Sequence, residues 1–389
     1  MTPIRVGFIY HQEDWIGGVN YLRNLFSAIQ ALPNRTITPI LLASSHADVA
    51  DFKALAEIIR TPLLNRYSPH WWASQVFVKV FPRRDYLLYW LLRNHRINLL
   101  SHFGRLWRGC SIPTIGWIPD FQHVHLPEFF TAHECAARDA QFGSIISNSD
   151  ALIVSSRDGL DDLHRFDSKH KTPAHILRFV SCLSPNLLEL PSQADLAKRY
   201  NLDRPWFHIP NQFWAHKNHK IVLDALHWIK RQHTCPLVIA TGSTKDYRNP
   251  EYFPSLMKTI RDYGLLDDFR ALGVLPYTDV IALMRHAVAI INPSLCEGWS
   301  TSVEECKAMG KKVILSDIAV HREQSPERGQ YFKPNDSRQL ATLMISAMSE
   351  YDEIEENVYF SEARQKHNKN IIIFARQYEA IVMQVLGNK

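Results

Sequence analysis

Short apolar runs alternate with longer amphipathic ones from the beginning of the chain: IRVGFIY, then VNYLRNLFSAIQAL, then ITPILLAS, then ADVADFKALAEII. A short run apolar throughout suits a strand covered on both faces, and a longer run with one apolar side suits a helix laid over it. Their alternation predicts parallel strands joined by crossover helices. The pattern continues through INLLSHF, TIGWI, SIISNSD and ALIVSS. It is interrupted near residues 184 to 205 by the polar stretch SPNLLELPSQADLAKRYNLDRP, which reads as a linker. It then restarts with WFHIPNQF, HKIVLDALHWIKRQ and PLVIATGS, and in the middle segment Ile221, Val222, Ala225, Leu226 and Ile229 repeat at the spacing of one buried helix face.

The expected fold class is therefore α/β, with two successive doubly wound, Rossmann-like domains that bind ligand where strand ends meet. The domains are placed at residues 1–190 and 191–369. The last segment, NIIIFARQYEAIVMQVLG, is a helix with no strand after it, and residues 370–389 are expected to pack back on the first domain. At 389 residues there is chain enough for two cores. A net charge of +5 falls far short of the basic stripe that binding along nucleic acid requires, so no nucleic-acid partner is expected. The six cysteines form no C-x-x-C pair, which disfavours a zinc or redox site and fits reduced thiols in a cytoplasmic protein. The start, MTPIRVGFIYHQEDW, reads as a first strand and not a signal peptide, and no stretch approaches the roughly 20 apolar residues that span a bilayer.

The segment EGWSTSVEECKAMGKKVILSD, residues 297 to 317, places Glu297 and Glu305 on either side of a turn and a helix start. Thr301 and Glu304 have the spacing of a capping box, with Ser302 the first helical residue, Val303, Ala308 and Met309 facing inward and Gly310 closing the helix. On that reading Glu304 is structural. Glu297 and Glu305 are not needed for it, and both can address whatever occupies the helix mouth, a place that favours an anion. A diphosphate on the amides near Gly298, Trp299, Ser300 and Thr301, flanked by hydroxyl-bearing groups, accounts for two carboxylates at this spacing. In NQFWAHKNHKIVLDAL, Lys217 occupies a strand-to-helix loop, where phosphates bind in open sheets. Gly17 and Gly18, in WIGGVNYL, allow close backbone approach to a ligand. WIPDFQHVHLPEFF clusters Asp120, His123, His125 and Glu128 after a predicted strand, a candidate face for an acceptor.

Residues 292 to 336, NPSLCEGWSTSVEECKAMGKKVILSDIAVHREQSPERGQYFKPND, resemble the donor-site signature of the retaining glycosyltransferases of family four, which have the GT-B architecture of two Rossmann-like domains facing a central cleft. GGVNYLRNL is similar to that family's first glycine loop, and NQFWAHKNHKIVLDAL to its basic phosphate loop. The resemblance implies that Glu305 binds ribose hydroxyls, Glu297 faces the donor sugar and Lys217 holds the diphosphate. The chain departs from the family in three places. Gln212 stands where an arginine is common five residues before the lysine, so one phosphate charge is missing or supplied from elsewhere. Ser300 replaces a common glycine, and Pro119 replaces a histidine often found before the first-domain aspartate, leaving Asp120 and His123 as alternatives for contact with the transferred sugar.

The resemblance implies a retaining transferase moving a hexosyl or deoxyhexosyl group from a nucleoside-diphosphate sugar to a glycan or lipid-linked acceptor, in cell-surface polysaccharide, lipopolysaccharide or glycolipid synthesis. No Asp-x-Asp pair stands at a predicted strand end, so Lys217 and the helix mouth are expected to stabilise the leaving group without a metal or other cofactor. A nucleotide-sugar isomerase of the same fold and a non-catalytic sugar-nucleotide-binding module are the alternatives. Between Ile59 and Ile118, nine basic residues (Arg60, Arg66, Lys79, Arg83, Arg84, Arg93, Arg96, Arg105, Arg108) face one acidic residue, Asp85, a balance of +8. With Trp71, Trp72, Phe77, Phe81, Tyr86, Tyr89, Trp90 and Trp107 among them, they predict a peripheral position on an anionic membrane, on the inner face.

Overall fold

The computed structural model describes residues 3–10, 16–72, 76, 85–104, 106–183 and 190–387. Lys79, Arg83, Arg84, Arg105, Phe77 and Phe81 of the basic-aromatic segment lie outside them. The chain forms two compact units: Met1–Phe121 with His133–Cys182 and Lys369–Lys389, and Gln122–Ala132 with Leu183–Asn368. The short segment Gln122–Ala132 therefore clusters with the second unit although its neighbours on both sides belong to the first.

The first unit is built on a seven-stranded parallel sheet of strands β1 (Ile4–Tyr10), β2 (Ile37–Ala43), β3 (Glu57–Arg60), β4 (Leu99–Ser101), β5 (Thr114–Trp117), β6 (Ala151–Val154) and β7 (Ala174–Ile176), in the order β3-β2-β1-β4-β5-β6-β7. Chain order reverses at β1, so its carboxyl end with that of β4 marks the switch point where open sheets bind ligand. Gly17 and Gly18 fall in the first turn of the helix Ile16–Gln30 that follows β1. The final helix runs from Glu353 to Gly387, and its last part is tied into this unit where Tyr378 donates to Ser101 Oγ (2.8 Å) and Glu379 accepts from Thr36 N (2.7 Å).

The second unit repeats the plan with β8 (Trp206–Ile209), β9 (Leu237–Thr241), β10 (Phe269–Gly273), β11 (Ile290–Asn292), β12 (Val313–Ser316) and β13 (Gly329–Phe332), ordered β10-β9-β8-β11-β12-β13. Its switch point lies between β8 and β11. The helix His219–Lys230 buries Ile221, Val222, Ala225, Leu226 and Ile229, the face predicted from their spacing.

Three local readings are corrected. ADVADFKALAEII is a single 3₁₀ turn, Ala50–Phe52, followed by β3, because Glu57–Arg60 completes the sheet edge beside β2 and that pairing outweighs helical preference. SIISNSD is not a strand: its first five residues end the helix Ala132–Asn148, where Ile146 is buried. The stretch read as a linker contains the helix Gln193–Tyr200, closed at its start by a capping box between Ser192 and Asp195.

Candidate functional site

At the switch point of the second unit, the loops after β8 and β11 are laced together. Leu295 N donates to the carbonyl of His216 (2.8 Å), and Asn292, at the end of β11, accepts from Asn211 Nδ2 (3.2 Å) and Ser294 Oγ (2.7 Å). Its amide donates to Ser300 Oγ (2.8 Å) and Ser302 Oγ (3.2 Å). Asn211, Asn292, Ser294, Ser300 and Ser302 are buried, so each hydrogen bond among them removes a desolvation cost and fixes the turn that carries Glu297.

That turn brings Lys217 and Glu297 together, with Nζ 2.6 Å from Oε1 and side chains 18% and 10% exposed. Burial opposes the Glu297 charge, but Lys217, His321 and hydrogen bonds from Lys217 and Ser294 outweigh it, leaving its pKa below the ordinary glutamate value. His321 is fully buried. Its Nδ1 lies 2.9 Å from the carbonyl of Ser316, so Nδ1 carries the proton in the neutral ring, and Nε2 has no hydrogen-bond partner among the described residues. Burial holds its pKa below the usual histidine value, against the pull of Glu297.

Glu305 is buried and accepts from the Tyr277 hydroxyl (2.7 Å), which rises from the first turn of the helix Tyr277–His286 after β10. Glu304 faces the other way. The predicted capping box is absent: the helix is Thr301–Met309, Ser300 is its N-cap, and no side chain caps it in the usual manner. Gln324 performs that task from another helix, accepting from Ser300 N (3.2 Å) and donating to Ser300 O and Glu304 Oε1 (both 3.0 Å). Glu304 also pairs with Lys307 at 3.0 Å, and burial raises its pKa despite these partners. Its role is thus internal to the protein. Gly310 closes the helix at φ 63°, where a Cβ would lie 2.5 Å from the Tyr359 carbonyl oxygen.

The structure thus gathers Lys217, Glu297, Gly298, Trp299, Ser300, Thr301 and Glu305 on neighbouring strand ends of one unit. Gln212 lies on the same loop as Lys217, with its backbone packed against Gly242. Gly17, Gly18 and Asp120 belong to the first unit. There Asp120 is engaged by Arg138 at 2.6 Å. His123 belongs to the second unit, on the short helix Gln122–His125, and is buried, whereas His125 and Glu128 are exposed. Sequence reasoning missed Tyr277, His321 and Gln324, since no local motif joins them to the carboxylates they meet.

Residues 197–372 match the family model described as glycosyl transferases group 1. Over 126 residues the chain is 29% identical to the O-antigen chain mannosyltransferase RfbU of Salmonella typhimurium, an alignment covering 32% of this chain and 33% of that protein. The match thus spans about a third of the curated relative's length. Among solved structures, a sucrose-phosphate synthase from Thermosynechococcus elongatus superposes with a TM-score of 0.70 at 17% identity, covering 99% of this chain and 100% of the other. Anabaena HepE in complex with UDP and glucose gives 0.69 at 14% identity, covering 98% and 100%. These similarities establish the fold: the two units are the two Rossmann-like halves of the GT-B architecture.

Proposed function

We propose that this protein transfers a hexosyl or deoxyhexosyl group from a nucleoside-diphosphate sugar to a glycan or lipid-linked acceptor, with retention at the anomeric carbon and without a metal ion. The observation that carries the reading is the Lys217–Glu297 pair beside the start of the helix Thr301–Met309, with Glu305 held by Tyr277 one turn further in. A cation and a helix mouth converge where a diphosphate binds in open sheets, and the two carboxylates beside them suit sugar hydroxyls. Breaking the sugar–phosphate bond builds negative charge on the departing diphosphate. Lys217 and the helix amides supply positive potential for it, while Glu297 offsets the positive character of the sugar. The family match over this unit and the name of the Salmonella relative support the same reading. Incubation with a panel of nucleotide sugars, with and without a chelator, tests it. Release of nucleoside diphosphate supports transfer; conversion of the donor without release would identify an isomerase, and tight binding with neither a binding module.

The acceptor side is read as resting on an anionic membrane. No helix among the described residues is long and apolar enough to cross one. The aromatics of the basic segment divide. Tyr89 and Trp107 pack on the core of the first unit, whereas Tyr67, Trp72 and Trp90 are 66%, 54% and 68% exposed. Asp85, the segment's single acid, is buried as the N-cap of the helix Tyr86–Asn94. Indole rings beside arginines suit the interface of an anionic bilayer. Flotation with anionic liposomes tests this; equal binding by wild type and the Trp72→Glu/Trp90→Glu variant counts against it.

A further inference from the structure

The charge of the proposed donor site does not balance. Lys217 is paired with Glu297, Glu305 adds another carboxylate, and His216 beside them is kept neutral by burial and by neighbouring cations. A nucleoside diphosphate brings two or more negative charges, so one lysine already committed to a glutamate leaves the site short of a cation.

The loop after β9 supplies one. It is joined to the Lys217 loop at three points: Phe213 N donates to Ser243 O (2.9 Å), Ala215 N donates to Asp246 Oδ2 (3.2 Å), and Gly242 sits where a Cβ would meet Gln212 N and Cα at 2.8 Å. With φ at 140° and backbone that close, this position requires glycine. From this loop the Arg248 guanidinium lies against two rings, 4.6 Å from Trp214 and 4.5 Å from Phe130. Its side chain is 5% exposed. Nη1 donates to Gln122 Oε1 (3.1 Å), but among the described residues the buried Nε has no hydrogen-bond partner and Nη2 donates to none. Asp246 is no closer than 3.8 Å to Nε, and its oxygens already accept from the backbone of Ala215 and Arg248. The His216 pKa is lowered first by burial, then by Lys217 and Arg248, which places both cations near the same turn.

We propose that Arg248 is the second cation for the donor diphosphate, a guanidinium held in orientation by the Trp214 and Phe130 rings with unused N–H donors. The proposal rests on the donor reading above and deepens it. Aromatic faces stabilise the cation without consuming its in-plane donors, so the fork remains available to phosphate oxygens. Arg248 therefore acts where Gln212 cannot, because a glutamine amide carries no charge.

Isothermal titration with UDP, GDP, ADP and CDP first establishes which diphosphate the wild-type protein binds. If it binds none, the donor reading falls and this proposal with it. Given binding, Arg248→Gln is expected to weaken it tenfold or more while the corresponding nucleoside, which lacks phosphates, changes less than twofold. Adding Gln212→Arg to that variant is expected to recover most of the loss, since it returns a guanidinium to the adjoining loop. Arg248→Lys, which keeps the charge, is expected to lie between. Diphosphate affinity within twofold of wild type in Arg248→Gln overturns the proposal. So does a loss that Arg248→Lys shares in full and Gln212→Arg does not relieve, which marks a purely structural clasp between Trp214 and Phe130.

Discussion

The ammonium of Lys217 rests 2.6 Å from a carboxylate oxygen of Glu297, a residue 80 positions later in the chain. Without a ligand the pair satisfies itself; on the proposed reading an arriving diphosphate competes with Glu297 for the same cation. Substituting either partner therefore changes donor affinity in opposite directions. Lys217→Ala removes the cation and leaves Glu297 enclosed without it, so donor binding weakens and turnover falls by about a hundredfold or more, the cost of roughly 2 to 4 kcal/mol typical of a lost charge-stabilising group. Glu297→Gln frees Lys217, so nucleoside diphosphate binds as well as in wild type or better while turnover still falls. Equal weakening of diphosphate binding by both variants contradicts the arrangement.

Tyr277 fixes the second carboxylate. Its hydroxyl donates to Glu305 at 2.7 Å, and a hydrogen bond to a charged group contributes about 1.5 to 3 kcal/mol, less at a partly exposed site such as this. Tyr277→Phe is expected to raise the donor dissociation constant by about fivefold, on the order of 1 kcal/mol, with little change in melting temperature. Glu305→Gln is expected to cost more, because on the proposed reading it removes the group that contacts the ligand. Titration of both variants with the preferred nucleoside diphosphate checks the ranking; a larger loss in Tyr277→Phe than in Glu305→Gln contradicts it.

Gln324 is expected to matter for stability more than Thr301. Its amide bridges the backbone of Ser300 and the carboxylate of Glu304, all buried, whereas the Thr301 side chain caps nothing. Gln324→Ala strands the buried Ser300 N–H and takes one donor from the Ser300 carbonyl, which still accepts from Glu304 N, and one from Glu304 Oε1, which still accepts from Lys307, so a destabilisation of about 1 to 3 kcal/mol follows. Thr301→Ala stays within about 0.5 kcal/mol. Urea unfolding of the two variants decides between this bridge and the capping box suggested by spacing alone.

That pair also shows how far the sequence could be read. The alternation of IRVGFIY with VNYLRNLFSAIQAL predicted strand and crossover because a parallel strand covered on both faces must be apolar throughout, and β1 and the helix Ile16–Gln30 formed there. Glu297 and Lys217 are singled out by the sequence because each lies in a loop between strand and helix, where open sheets bind ligands, and the structure brings the two side chains together. Partners such as Gln324, His321 and Tyr277 were not legible: Gln324 and His321 share the helix Ala319–Gln324 and Tyr277 opens the helix Tyr277–His286, and no spacing along the chain encodes an approach made only when the sheet is assembled. ADVADFKALAEII failed for a related reason, since Glu57–Arg60 is a strand only by virtue of the β2 edge beside it.

Acid sensitivity follows from the buried histidines. Burial pushes His102, His208 and His219 down to about 3, while in the unfolded chain each titrates near its ordinary value of about 6.5. The folded state thus refuses protons that the unfolded state accepts. Each residue's contribution is complete above about pH 6.5 and is lost as pH falls below it, at about 1.4 kcal/mol per pH unit. His216 and His321 shift in the same direction, whereas Glu304, with its pKa raised by burial, gains stability as pH falls and opposes them. Between pH 6.5 and 5 most carboxylates remain charged in both states, so the slope there belongs mainly to histidine. His219 stacks on Phe213 with ring centroids 4.4 Å apart and has no exposed surface, so His219→Phe preserves the packing and deletes one titrating group. Unfolding free energies measured at pH 7, 6 and 5 are expected to fall steeply for the wild type and less steeply for His219→Phe, by about 1.4 kcal/mol per unit. Parallel pH profiles for the two proteins would mean that His219 does not resist protonation in the folded state.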